Sequence, residues 1–224
     1  MDLYDVMRTT FACRDFTDDD VPDDALYRIL DNARFAPSGG NRQGGKVIVI
    51  RDDATKKKLG ELCFPAMRIA LSQLKAGENY WQSVHPTSVD TAAVAHDESI
   101  PIMLPLFENL DKVPVVLLIA VDLGLVASMD KELERVGVVS GGSIYPLAWS
   151  ILMGARNEGY GGVLTTLIAS AEPEVQELLG LESHMAVAAM LPIGKPVKQL
   201  TKLKRNAVEE FVTRERADGE PFTA

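Results

Sequence analysis

Two apolar runs limit what this chain can fold into more than any other feature: Val113-Pro-Val-Val-Leu-Leu-Ile-Ala-Val121 and Ala186-Val-Ala-Ala-Met-Leu-Pro-Ile193. The first is the longest apolar stretch, carries Pro114, and is about half the roughly 20 residues that a membrane-spanning helix needs. Both read as buried strands, the first bounded by Asp122. Lys46-Val-Ile-Val-Ile-Arg51 is a β-branched strand, and Val163-Leu-Thr-Thr166 a short one. A chain of 224 residues can bury such strands in one core without metal or disulfide staples. With 46% apolar and 25% charged residues, disorder, collagen-like repeats and coiled coil are excluded.

Helical patterns interleave with these strands. Asp2 caps a first helix with Leu3, Val6 and Met7 at helical spacing. Val21-Pro22 opens a second, with Pro22 at its first position and Leu26, Ile29, Leu30 and Ala33 as its buried stripe. Pro37 closes it, leaving Ser38-Gly-Gly-Asn41 as a loop at the helix end. Asp52 or Asp53 starts a third helix, to about Leu62. A further helical segment runs over residues 65–82, with Met67, Ala70, Leu71 and Leu74 on one side. Residues 143–157 form a largely apolar helix expected to be buried on most sides. Glu172-Pro173 begins the last helix, stopped by Gly180. The class is α/β or mixed α+β, a sheet covered by helices, in a single domain over 1–224. Residues 83–111 hold no single period and read as a mobile excursion. The tail from Lys195 has too few apolar residues to fold alone.

The net charge is −9, with no basic run, so a nucleic-acid or anionic-membrane surface is not expected. The opening MDLYDVMRTT has no cationic region before an apolar core, so no secretory signal is read and a cytoplasmic location is expected. Cys13 and Cys63 lack CxxC spacing. His85, His96 and His184 lack ligand spacing, so no metal site is expected. GxGxxG, GxxxxGK[ST] and GxSxG are absent. Ser140-Gly-Gly-Ser143 reads as a cap rather than a nucleophile turn, Gly159, Gly161 and Gly162 as a helix stop and tight turn, and Cys13 as a small buried side chain. With no nucleophile, metal or dyad, an enzyme here needs a cofactor that brings its own chemistry.

Three separated segments supply that lead. Met7-Arg-Thr-Thr-Phe-Ala-Cys-Arg-Asp-Phe16 resembles the N-terminal flavin motif of the nitroreductase family. Ala36-Pro-Ser-Gly-Gly-Asn-Arg-Gln43 resembles its second motif. Gly159 to Thr166, with Ile193-Gly-Lys-Pro196 and Lys202-Leu-Lys-Arg205, resembles its C-terminal half. The resemblance spans roughly residues 3–212, in order.

It implies an α+β nitroreductase-like fold, a central mixed sheet flanked by helices, built as an intertwined homodimer whose tail (195–224) embraces the partner. It also implies FMN, with NAD(P)H as electron donor, and nitroaromatic, quinone or similar small-molecule acceptors. Flavin N5 would carry the chemistry, with no catalytic side chain. By position, Arg14 falls at the flavin phosphate or ring edge, with Arg8 and Thr10 nearby. Pro37, Ser38, Gly39 and Asn41 fall where the family contacts the ribityl chain and ring, often from the other protomer. Leu164, Thr165 and Thr166 fall beside N5 and O4, and Arg205, with Lys202 and Lys204, at the phosphate. The chain departs from the pattern at Thr10, Phe11 and Ala12, where the family has Arg, Arg or His, and Ser, and at Gln43-Gly44-Gly45 where Gln-Pro-Trp is common. Residues 83–111 become a lid, with Trp81, His85 and Phe107 as ring-stacking or shielding side chains. A sequestering flavin protein without turnover, or other flavin chemistry such as dehalogenation or dehydrogenation, are the alternatives.

Overall fold

The structure is a computed structural model and describes residues 1–223. In chain order the elements are α1 (Leu3–Thr9), α2 (Asp23–Ala33), β1 (Gly45–Ile50), α3 (Asp53–Leu62), α4 (Phe64–Lys75), α5 (Thr91–Ala95), α6 (Pro105–Glu108), β2 (Val115–Asp122), α7 (Tyr145–Asn157), β3 (Gly161–Gly162), α8 (Glu172–Leu179) and β4 (Met185–Gly194).

The two apolar runs are the central strands. β2 pairs antiparallel with β4, from Val115 opposite Ile193 to Asp122 opposite Met185, with a register shift at Ile119/Ala120. β1 joins the free edge of β2 and β3 that of β4, in the order β1-β2-β4-β3. All three pairings are antiparallel, where a mixed sheet was expected; an isolated parallel bridge joins Ala12 to Gly162 at the sheet edge. Strand alternation sends Val115, Leu117, Ile119 and Val121 to one face and Val116 and Leu118 to the other, which is why β2 is apolar throughout.

α2 and α7 cover the first face, with Ile29 and Ala33 against Ala148, Ile151, Leu152 and Ala155. The second face carries α3, α4, α6 and α8, through Leu59, Met67, Phe107 and Val175, with Ile168 of the turn just before α8.

Several expectations are corrected. On α1 only Val6 is buried; Leu3 and Met7 are exposed, because the helix lies on the rim of the domain. Pro22 is the N-cap of α2 rather than its first residue. α4 stops at Lys75, seven residues early, and its inward stripe continues through Gln73 while Leu74 points out. α7 buries one side only, leaving Tyr145 and Trp149 exposed. The short strand is Gly161–Gly162, not 163–166, where pairing shrinks to the Thr165–Met190 bridge. Residues 83–111 are not one irregular excursion, since they contain α5 and α6 and their end is core. Leu106, Phe107 and Leu110 are buried, and a methyl on Gly60 of α3 would collide with the Phe107 carbonyl. The tail beyond Lys195 is largely exposed and ends in a small turn-back bridging Thr213 and Pro221. Among the described residues no helix is long and apolar enough to cross a membrane, and no cluster of three metal-ligating side chains occurs.

Candidate functional site

The first face, closed over by α2 and α7, carries a pocket of about 270 Å3 between α1, α2 and α7, whereas the second face opens into a cavity of about 540 Å3 at one end. That volume lies within the roughly 300–1,000 Å3 typical of small-molecule and cofactor sites. Three stretches build its walls. α4 supplies Ala66, Met67 and Ala70, spaced so that they share one helix face. Met103, Leu104, Leu106 and Phe107 form a second wall, and residues 163–170 a third, with Tyr80 and Trp81 at the opening.

Arg14 also lines the cavity, and the local backbone explains how it arrives there. Residues 12–17 run beside the sheet edge: the Cys13 N–H donates to the Gly162 carbonyl (3.0 Å), and the Thr17 N–H to that of Lys195 (2.9 Å). Gly161 and Gly162 permit this approach. A Cβ on Gly162 would lie 2.7 Å from the Pro192 carbonyl oxygen, and one on Gly161 3.0 Å from the Cys13 Cβ. Cys13 is thereby buried and anchors Arg14, whose side chain is exposed. A smaller neighbouring cavity of about 360 Å3 adds a second cation, Lys198, beside Arg14, Phe11 and Asp15.

On the facing wall, Thr165 exchanges backbone hydrogen bonds with Met190 (3.0 and 2.9 Å), which fixes the segment carrying Leu164 and Thr166. Leu164 and Thr165 are half-buried and Thr166 is exposed.

The structure therefore brings together Arg14, Leu164, Thr165, Thr166, Trp81 and Phe107. Phe107 is a fixed wall, being 2% exposed and packed in the core, so the mobile shielding role expected for it is corrected. The other expected residues do not line this cavity. Arg8 is exposed, with its guanidinium 5.9 Å from the Tyr4 ring centroid. Thr10 is buried and its hydroxyl donates to the Val6 carbonyl (2.7 Å), a bond spent on capping the end of α1. Pro37, Ser38, Gly39 and Asn41 form a turn held to the start of α7, where the Gly39 N–H donates to the Ser143 hydroxyl (2.9 Å). His85 is exposed, as are Lys202, Lys204 and Arg205 along the tail. Met67, Ala70, Tyr80, Met103 and Lys198 went unread in the sequence, because they lie on segments with no motif. The apolar stripe of α4 was the one available signal for the first two.

The donor set suits a flavin nucleotide: Arg14 and Lys198 for a phosphate at one end, threonine hydroxyls for a polar ring edge, and apolar slabs for the ring faces. Thiol chemistry does not compete. Burial pushes the Cys63 thiol up to about 12, and burial likewise raises that of Cys13.

Fold and site define a helix-flanked sheet with a nucleotide-sized, apolar, cation-rimmed cavity. The nitroreductase family model matches residues 7–195, and the chain belongs to that family. It is 26% identical over 216 residues to the NADH dehydrogenase of Thermus thermophilus, covering 90% of each chain. It is 25% identical over 215 residues to the mouse iodotyrosine deiodinase 1, covering 94% of this chain and 68% of that one. Among solved structures, an oxidised iodotyrosine deiodinase bound to FMN and 3-iodo-L-tyrosine superposes with a TM-score of 0.68 at 20% identity. That match covers 96% of this chain and 99% of the other. The relatives' names are those of oxidoreductases.

Proposed function

We propose that the cavity holds FMN and that the protein is an NAD(P)H-dependent oxidoreductase reducing nitroaromatic, quinone or similar acceptors, acting as a homodimer in the cytoplasm. The observation that carries this reading is the convergence of Arg14, Thr165 and Thr166 on one apolar cavity in this fold. FMN held there would supply the hydride chemistry that links the nucleotide to the acceptor. The chain's own residues bind, orient and shield. Arg14, with Lys198, neutralises the phosphate. The Thr165 and Thr166 hydroxyls donate to the polar edge of the ring, and the Met67, Leu104 and Phe107 walls exclude water. Homodimerisation is supported by Leu3, Tyr4 and Met7 on α1 and Tyr145 and Trp149 on α7, all exposed. It would also give the 37–41 turn and the Lys202, Lys204 and Arg205 tail a route to a second protomer's cavity.

The deiodinase relatives favour a second reading, reductive dehalogenation. Recognition of an amino-acid zwitterion calls for an anionic partner for its ammonium. Among the described residues Arg14 is the one charged residue lining the larger cavity, and the smaller one adds Asp15 beside Lys198, a carboxylate that could answer such an ammonium.

The test is an absorption spectrum of protein reconstituted with FMN, followed by anaerobic titration with NADH and NADPH. Stoichiometric flavin bleached rapidly by either nucleotide is the expected result. Bound flavin that neither nucleotide bleaches would favour a sequestering protein, and failure to bind FMN would reject the proposal.

A further inference from the structure

The inward stripe of α4 runs Ala66, Met67, Ala70 and then Gln73, a glutamine where an apolar residue is expected. Gln73 is 6% exposed. A buried amide persists only where it is paired, and its Oε1 accepts the backbone N–H of Trp81 at 3.1 Å. Trp81 has φ of +56°, in the left-handed region that bulky side chains avoid. A second bond, from the Glu78 N–H to the Gln73 carbonyl (2.9 Å), ties the same turn to the same residue.

The residues just after Trp81, 82–88, are folded on one another and onto Glu78, and none of them lines the cavity. The Gln82 Oε1 accepts the Val84 and His85 N–H groups (2.8 and 2.7 Å). The Glu78 carboxylate accepts the Thr87 hydroxyl (2.6 Å) and the Ser88 N–H (2.7 Å). Tyr80 and Trp81, both about half exposed, thus stand at the cavity mouth on a turn moored through Gln73.

We propose that Gln73 is a positioning residue: by holding Trp81 in its left-handed conformation it sets an aromatic plate at the cavity mouth, which selects flat, uncharged ring acceptors over acceptors that do not stack. A fixed ring loses little freedom on stacking, so the plate favours planar partners at low entropic cost. Left-handed backbone at a bulky residue beside a cavity marks strain held by its surroundings for a use. Here the holding group is one buried amide oxygen. The kinetic part rests on the flavin reading, and the structural part does not.

The test uses Trp149→Phe protein, in which Trp81 is the remaining tryptophan, with and without Gln73→Met. Methionine keeps the length and removes the acceptor. Without flavin, time-resolved anisotropy of Trp81 should gain a fast depolarising component in the Gln73→Met variant. With FMN, the KM for benzoquinone and nitrobenzene should rise about threefold to tenfold, the change expected for one lost intramolecular hydrogen bond. Turnover of ferricyanide, which takes electrons without stacking, should stay the same. Trp81→Ala should raise the ring-acceptor KM as much, and Gln73→Met added to it should do nothing further. Should Gln73→Met fail to fold, Trp81→Ala against Trp81→Phe decides the plate: Phe should hold the KM within about threefold. Unchanged anisotropy, an equal loss for ferricyanide and quinone, or a Gln73→Met effect that persists beside Trp81→Ala would each overturn the proposal. A wild-type protein that binds no FMN would sink the functional reading, while the anisotropy of the flavin-free protein would still decide the tether.

Discussion

The two faces of the sheet use alanine for opposite ends. On the closed face Ala33, Ala148 and Ala155 let α2 and α7 approach until their side chains interlock, with Gly154 of α7 set so that an added Cβ would lie 3.3 Å from Ile29 Cγ2. On the open face Ala66 and Ala70 stand on an equally buried helix stripe, yet the space before them is the cavity. Small residues bring elements together where a partner helix exists and leave room where none does. One face therefore stores stability and the other stores volume, and the same substitution should be read differently on each.

The largest expected effect comes from filling the volume. Ala70→Phe puts a ring where the flavin would lie, and FMN affinity should fall by at least about a hundredfold, since each 1.4 kcal/mol is a factor of ten. Far-UV circular dichroism should be unchanged, because the open face can take the added bulk. Its counterpart, Ala155→Leu, overpacks the closed face and should cost about 1–3 kcal/mol of stability. In a chain of this length that is a fall of roughly 2–4 °C in Tm per kcal/mol, with FMN stoichiometry intact in the folded fraction. If Ala70→Phe unfolds the protein while Ala155→Leu expels flavin, the contrast between the faces is wrong.

A smaller effect sharpens the picture of the open face. A hydrogen bond to a charged group is worth roughly 1.5–3 kcal/mol, so Arg14→Ala should weaken FMN about tenfold to a hundredfold. Arg205 is exposed on the tail, its Nη1 donating to the Lys204 carbonyl at 2.7 Å. Arg205→Ala should cost a comparable factor if the tail reaches a phosphate in the partner's cavity. Fluorescence titration of FMN into each flavin-free variant reads both. Equal affinity for the Arg205 variant and wild type would remove the tail from the site.

The closed face was the more legible in the sequence, for a physical reason. β2, β4 and α2 announce themselves through continuous apolar runs and a 3.6-residue stripe, because burial on both sides or on one leaves little choice of residue. The open face is assembled from residues that touch a space rather than one another, so no period marks them. Val163, Thr165 and Thr166 have strand propensity, yet the strand forms at Gly161 and Gly162, where the absence of a side chain admits Cys13 and the Pro192 carbonyl. Local propensity lost to close approach. Gln73 and Leu74 show the same limit: one residue of helical phase decides which points inward, and the amide won because Trp81 offered it an N–H. Arg14 and residues 164–166 were legible as motif positions, whereas Lys198 lies beyond any motif and reached the site through the course of the tail.

The smallest effect belongs to the loop that joins β2 to α7 on the closed side, residues 123–143. Asp130 is buried there, and its Oδ2 accepts the Val138 N–H (2.7 Å) and the Arg135 guanidinium (2.8 Å). Those bonds, the Val138 amide foremost, hold its carboxyl down at about 2, against an ordinary 3.8. A carboxyl depressed by folding contributes stability that is fully present above the unfolded value. That contribution is lost as pH falls from about 4 toward about 2. Asp130→Asn keeps an acceptor for Val138 and puts an amide nitrogen where Oδ1 has no partner, while removing the charge that Arg135 answers. The variant should be slightly less stable than wild type at neutral pH, and the gap should close as pH falls through that window. Urea midpoints taken at neutral pH and at steps through the window measure it, and parallel acid slopes for the two proteins would show that the Asp130 carboxylate does not organise this loop.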